Sequence, residues 1–154
     1  MEIALIEPEI PGNTGSIGRL AVGTGTALHL VGDLGFDISA AAVRRAGLDY
    51  WKNVDLRRHA RIDDFLHATS ARRIWAFSSH GARRYDEVEY GADDVLVFGR
   101  ESSGLPQHLL DRWREQLCYL PISPAIRSLN LANCVTAALY EALRQQNFAG
   151  LARQ

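Results

Sequence analysis

Val95-Leu96-Val97-Phe98-Gly99-Arg100-Glu101-Ser102-Ser103-Gly104-Leu105-Pro106 decides the fold. Val95 to Phe98 is a continuous apolar run of strand length, the pattern of a strand buried on both faces. It stops at Gly99 and passes through polar residues to Gly104. Pro106 then sits well as the first residue of a helix running to about Trp113. Strand, polar loop and helix form the repeating step of an α/β domain, and in an open parallel sheet ligands bind at the carboxyl ends of strands. Gly99 and Gly104 allow a ligand to approach the backbone closely, whereas a tight turn by itself asks for only one glycine. Glu101 is placed to accept hydrogen bonds from a ligand amine or to hold the loop.

The same alternation extends in both directions. Glu2 to Ile6 reads as a buried strand ending at Pro8-Glu9-Ile10-Pro11-Gly12-Asn13, where two prolines and a glycine forbid regular structure. Thr14 to about Val22 reads as a helix and Ala27 to Val31 as a second strand. Ser39 caps a short helix through Ala46, and Asp63 to about Thr69 is another helical stretch. Arg73 to Phe77 and Cys118 to Leu120 are further strands. The clearest element is the last helix, Asn130 to Gln146. There Leu131, Val135, Leu139 and Leu143 fall at helical spacing, with Ala138 and Ala142 beside them. The fold class is therefore α/β, a mostly parallel sheet flanked by helices.

The chain has 154 residues, 47% hydrophobic and 23% charged, the balance of one globular domain over residues 1–154. That balance excludes disorder, collagen and coiled coil as descriptions of the whole chain. A chain of this length buries roughly two thirds of its unfolded surface and needs no disulfide or metal staple. No apolar run approaches the ~20 residues of a membrane span, and Met1-Glu2-Ile3 lacks the basic and apolar regions of a secretory signal. Cys118 and Cys134 follow no CxxC spacing and read as free thiols in a reducing cytoplasm. The formal net charge of −1 does not advertise a nucleic-acid partner. Of the 17 basic residues, however, only Lys52 is a lysine. The arginines cluster at Arg44-Arg45, Arg57-Arg58 with Arg61, Arg72-Arg73 and Arg83-Arg84. Arginine forks phosphate and stacks on bases, which fits RNA, and a GC-rich genome explains the same composition.

Several chemistries are missing. There is no phosphate-binding GxxxxGK, and Gly23-Thr24-Gly25 follows a helix with Leu28 where a dinucleotide fingerprint needs a third small residue. The five histidines are scattered without HExxH, so no metal site is expected. His80 and His108 read as surface residues. Ser102-Ser103-Gly104 is not a nucleophile elbow.

Two further segments join the 98–106 loop as candidates. In Asn13-Thr14-Gly15-Ser16-Ile17-Gly18-Arg19, Asn13 can cap the helix and leave N–H groups free at its positive end, with Arg19 within reach of whatever docks there. Such a phosphate or ribose clamp competes with an ordinary capped helix carrying a surface arginine. In the stretch from Leu120 to Asn133, the residues Ser128, Asn130 and Asn133 enter an otherwise apolar helix, and capping accounts for only one of the three.

Taken in this order, the three segments resemble the three motifs of the SPOUT superfamily of RNA ribose 2′-O-methyltransferases, and the likeness spans nearly the whole chain. Within it the chain is similar to the small, single-domain tRNA (cytidine/uridine-34-2′-O)-methyltransferases. The match is carried by Glu7-Pro8-Glu9-Ile10-Pro11, Asn13-Thr14-Gly15 to Arg19, Arg45-Ala46-Gly47-Leu48-Asp49-Tyr50, the Phe98 to Pro106 loop and Arg127-Ser128-Leu129-Asn130-Leu131. Gly12 stands where relatives often have a second proline, loosening the first loop, and Ala132 where serine is common. Neither change removes a polar group from the site.

The resemblance implies a C-terminal deep trefoil knot, a rare exception to unknotted chains, over about residues 75–146. It implies S-adenosyl-L-methionine as cofactor, held by Phe77, Ser78, Gly99, Glu101, Gly104, Leu120, Ile122, Ser128, Leu129 and Asn133. It implies a cytoplasmic homodimer acting on tRNA at the anticodon stem-loop, without DNA or membrane, in which Arg19 of one subunit reaches the other's cofactor. The stripe of Asn133, Ala137 and Tyr140 on the last helix faces either the partner or solvent. Arg19 and Asn13 are the implied catalytic residues. A guanidinium is a poor base, so Arg19 is expected to stabilise a developing alkoxide or clamp a phosphate while Asn13 fixes the loop. Leucine tRNAs are the implied substrate. The rivals are ribosomal RNA or another tRNA position, a non-catalytic RNA-binding dimer, and a flavodoxin-like nucleotide-binding domain.

Overall fold

The computed structural model describes residues 1–45 and 47–152, so the expected helix end at Ala46 lies outside the described residues. Among these residues β1 (Glu2–Ile6), β2 (Ala27–Val31), β3 (Leu56–His59), β4 (Ile74–Phe77), β5 (Arg83–Arg84), β6 (Val95–Phe98) and β7 (Leu117–Tyr119) form one sheet. Its order is β3-β2-β1-β6-β4-β7-β5, and every pairing is parallel. The helices are α1 (Pro11–Thr24), α2 (Ala40–Arg45), α3 (Ile62–Ala68), α4 (Gln107–Arg112) and α5 (Leu131–Gln145), with 3-10 turns at Asp49–Asn53 and Arg114–Gln116.

Period-two alternation sends each strand's side chains to two faces. Ile3 and Leu5 of β1 and Leu96 and Phe98 of β6 pack with Ile17 and Ala21 of α1 and with Val135, Ala138, Leu139 and Ala142 of α5. Ala4, Ile6, Val95 and Val97 face the opposite way, against Phe65 of α3 and Leu109 of α4. Both faces are covered, which is why β1, β2 and β6 are buried along their whole length and are almost entirely apolar, the exceptions being Glu2 and His29.

Two strands were not expected. Leu56-Arg57-Arg58-His59 carries one apolar residue and shows no alternation, yet it pairs with β2 from Leu28↔Leu56 to Val31↔His59. It and β5 are the edge strands, and arginines are tolerated there because one side faces water. Beneath the sheet, buried His29 lies 3.1 Å from the Glu2 carboxylate and 2.8 Å from His59. Burial holds the His29 imidazole below its ordinary value despite that carboxylate.

The first helix begins earlier than its prolines suggested. Pro11 is its first residue, where the missing N–H costs nothing. Ile10, not Asn13, is the N-cap, and it makes no side-chain capping bond. The expectation that Asn13 caps the helix is therefore corrected. Gly12 lies in the first helical turn, so it does not loosen a loop. Pro106 likewise caps α4 from one position outside it. Ser39 behaves as expected, its hydroxyl accepting from Ala42 N–H at 3.3 Å.

Candidate active site

β1, β6, β4 and β7 are consecutive in the sheet, and the loops leaving their carboxyl ends converge on one cleft of about 660 Å3. Small-molecule sites span roughly 300–1,000 Å3. The cleft brings together Asn13, Phe77, Ser78, Gly99, Glu101, Gly104, Leu120, Ile122, Ser128 and Leu129. Asn133 is not among its lining residues; its side chain is exposed, and its backbone N–H donates to Asn130 Oδ1 at 3.3 Å. Arg19 does not line the cleft either.

Glu101 holds its surroundings together. Its carboxylate accepts from the backbone N–H of Glu9 at 2.8 Å and of Ile10 at 3.3 Å, and from Asn13 Nδ2 at 2.9 Å. A negative charge thus sits at the amino end of α1, where the helix dipole favours it. Asn13 Oδ1 in turn accepts from Asn130 Nδ2 at 2.8 Å, while Asn130 Oδ1 caps α5. One chain of polar contacts therefore ties α1, the 99–104 loop and α5. Of the two roles open to Glu101, the hydrogen bonds support holding the loop.

A second clasp runs in the opposite sense. The Glu9 carboxylate accepts from the backbone N–H and the hydroxyl of Ser102, both at 2.9 Å. Those bonds hold it below the usual carboxylate range. Glu7 adopts a left-handed backbone, φ 50°, and its carboxylate receives Arg100 Nε at 3.0 Å. Strain of this kind, about 1–3 kcal/mol, persists only where surrounding contacts over-determine it. The sequence pointed to the Glu7–Pro11 stretch only through resemblance; its carboxylates' partners are set across the sheet.

The two glycines also need a correction. A Cβ on Gly99 would lie 2.2 Å from the carbonyl carbon of Gly104, and Gly104 has φ +72°. Arg100 and Gly104 are bridged by reciprocal backbone bonds of 3.0 and 2.9 Å. The turn itself requires both glycines, one for close approach and one for its left-handed backbone. Ligand access is not needed to explain them.

Arg19 lies on α1 with its guanidinium carbon 4.6 Å from the centroid of the Tyr50 ring. Sequence reasoning also passed over His80, Arg100, Arg127 and Cys134 as lining residues of the cleft. Burial raises the Cys134 thiol, which makes it a weak nucleophile. Among the described residues no group of three or more His, Cys, Asp or Glu could hold a metal. Such a cleft suits binding and positioning rather than covalent catalysis. Replacing Glu101 by glutamine removes the charge and turns one acceptor into a donor facing N–H groups. The variant should lose about 2 kcal/mol of stability and bind a cleft ligand several-fold more weakly, read by urea unfolding and calorimetry. Unchanged unfolding and binding would leave the network without a role.

A parallel α/β sheet whose strand-end loops meet around one cleft, closed by a glycine-paired turn and an asparagine-capped last helix, defines an α/β domain built to bind a small molecule. The SpoU rRNA Methylase family matches residues 1–140. A tRNA (cytidine(34)-2′-O)-methyltransferase of Saccharophagus degradans is 43% identical over 149 residues, covering 96% of this chain and 97% of that protein. A solved structure giving insights into the 2-OH methylation of C/U34 on tRNA superposes with a TM-score of 0.88 at 43% identity, covering 95% of each chain. The SpoU methyltransferase AviRb of Streptomyces viridochromogenes, solved with AdoMet, superposes with a TM-score of 0.77 at 26% identity, covering 96% of this chain and 60% of that one. The chain belongs to the SpoU methylase family, and its fold is that family's parallel sheet with a C-terminal trefoil knot.

Proposed function

We propose that the chain methylates the ribose 2′-hydroxyl of the wobble nucleotide, position 34, of tRNA, using S-adenosylmethionine, with leucine tRNAs as substrates. The observation that carries this is the cleft, where the three motif loops meet around Asn13, Glu101 and Asn130. The target nucleotide is supported by relatives of the same length that bear that activity in their names.

The lining fits the cofactor. Phe77, Leu120, Ile122 and Leu129 offer apolar walls for a purine and the methylenes of the methionine arm, and Ser78, Ser128 and the 99–104 backbone offer polar contacts. When bound, S-adenosylmethionine supplies an already activated methyl group, so orienting the attacking hydroxyl accounts for much of the catalysis. Asn13 keeps the first loop against Glu101. Arg19 stabilises charge developing on the ribose oxygen or grips the neighbouring phosphate.

Because Arg19 lies outside the cleft of its own chain, it serves the cleft of a second copy. The chain works as one domain, residues 1–154, with the cofactor knot in about 75–146, in a cytoplasmic homodimer. Tyr140 on α5 is 48% exposed, and its ring lies 6.4 Å from that of Phe148, itself 40% exposed. This aromatic pair is the natural centre of the subunit contact. The anticodon stem-loop lies across both subunits, and the arginine clusters meet its phosphates.

Methyl transfer from labelled S-adenosylmethionine to tRNA and ribosomal RNA from a strain lacking this gene, with the modified nucleotide mapped by mass spectrometry, tests the proposal. A 2′-O-methyl group at nucleotide 34 of leucine tRNAs is expected. Label elsewhere in tRNA, or in ribosomal RNA alone, overturns the wobble assignment. No label despite cofactor binding overturns the enzymatic role.

A further inference from the structure

The segment Leu48-Asp49-Tyr50-Trp51 joins α2 to β3 and lies against the helix that carries Arg19. We propose that Tyr50 is a positioning residue for Arg19, a role that rests on the proposed function of Arg19. The juxtaposition has three parts. The guanidinium of Arg19 sits over the Tyr50 ring, with its carbon 4.6 Å from the centroid. A cation in that place is drawn to the negative face of the ring. The Tyr50 hydroxyl donates to the Gly15 carbonyl at 2.7 Å. That carbonyl is the helical acceptor for the N–H of Arg19, so the ring is anchored to the same turn that carries the arginine.

The glycines of α1 make the contact possible. A Cβ on Gly18 would lie 2.5 Å from the Trp51 ring, and one on Gly15 would lie 3.6 Å from the Tyr50 hydroxyl. These two positions open a slot one turn long into which the 48–51 segment fits. Arg19 is exposed, and an exposed arginine samples many rotamers. The ring restricts the guanidinium to one side of the helix, so less ordering remains when the substrate arrives.

The test compares Tyr50→Leu, Arg19→Ala and the double variant in single-turnover methyl transfer to tRNA at saturating S-adenosylmethionine, with cofactor affinity measured separately. Tyr50→Leu is expected to slow transfer about five- to tenfold and to leave cofactor affinity within about twofold. The double variant is expected to be no slower than Arg19→Ala alone, because Tyr50 acts only through Arg19. A second series keeps the ring's shape, replacing Tyr50 with phenylalanine and then with phenylalanines of increasing fluorine content. Fluorine drains the ring face, so the rate should fall stepwise with each added atom. This series remains decisive if Tyr50→Leu does not fold. A flat fluorine series, or a double variant in which the two losses multiply, overturns the positioning role while the role of Arg19 stands. Arg19→Ala at the wild-type rate overturns the function of Arg19, and the inference with it.

Discussion

Arg19→Ala is expected to lower methyl transfer by about 10²–10³-fold, the usual loss when one preorganised charge-stabilising donor is removed from a transition state. Cofactor affinity stays within about twofold, because Arg19 is absent from the lining of the cleft in its own chain. Folding is hardly touched, since the side chain is exposed and makes no salt bridge among the described residues. The split between rate and affinity distinguishes a group that meets the substrate from one that shapes the cofactor site. Mixing subunits extends the test. A chain with Arg19→Ala and a chain whose cleft is blocked by Ile122→Arg are each expected to be inactive in the proposed homodimer. After exchange, about half the dimers hold one intact composite site, so roughly a quarter of the wild-type activity returns. No recovery, with exchange confirmed by mass, would place Arg19 and the cofactor in one subunit.

Gly99→Ala has the largest expected effect on the fold. The added methyl would sit 2.2 Å from the Gly104 carbonyl carbon and 2.3 Å from the Leu105 nitrogen. These are backbone atoms, and the Arg100–Gly104 bridge leaves them no room to retreat. The turn must open, which breaks the bridge and draws Glu101 away from Glu9, Ile10 and Asn13. A loss above about 3 kcal/mol is expected, lowering the melting temperature by roughly 6–12 °C, with cofactor binding abolished. Differential scanning calorimetry and isothermal titration read the two effects. A variant melting within 2 °C of wild type and binding the cofactor normally would show that the turn tolerates the methyl group.

The candidate site was unevenly legible. The 98–106 loop announced itself through an apolar strand followed by two glycines, and Asn130 through its place before an apolar helix. Their local patterns match what the chain does there. Asn13 misled because an asparagine beside prolines reads as a cap, whereas its side chain is engaged by Glu101 and Asn130 from distant segments. β3 was hidden because an edge strand needs only one apolar residue to join a sheet whose interior is built by its neighbours. Helix α1 gave a weak signal because glycine, threonine and alanine occupy much of its buried surface. Close packing against α5 and the 48–51 segment rewards small residues there rather than a hydrophobic stripe.

By itself the sequence determined the alternation of strands and helices, the two-faced burial of the sheet, the apolar stripe of α5 and the loops that carry chemistry. Each of these is a local property, readable from spacing and from the residues that start and stop an element. Only the tertiary structure decided that β6 lies between β1 and β4, that Glu101 clasps the first loop, and that Arg19 rests on Tyr50 away from its own cleft. Those outcomes follow from which distant segments pack together once the core closes, and no short window of residues contains that information.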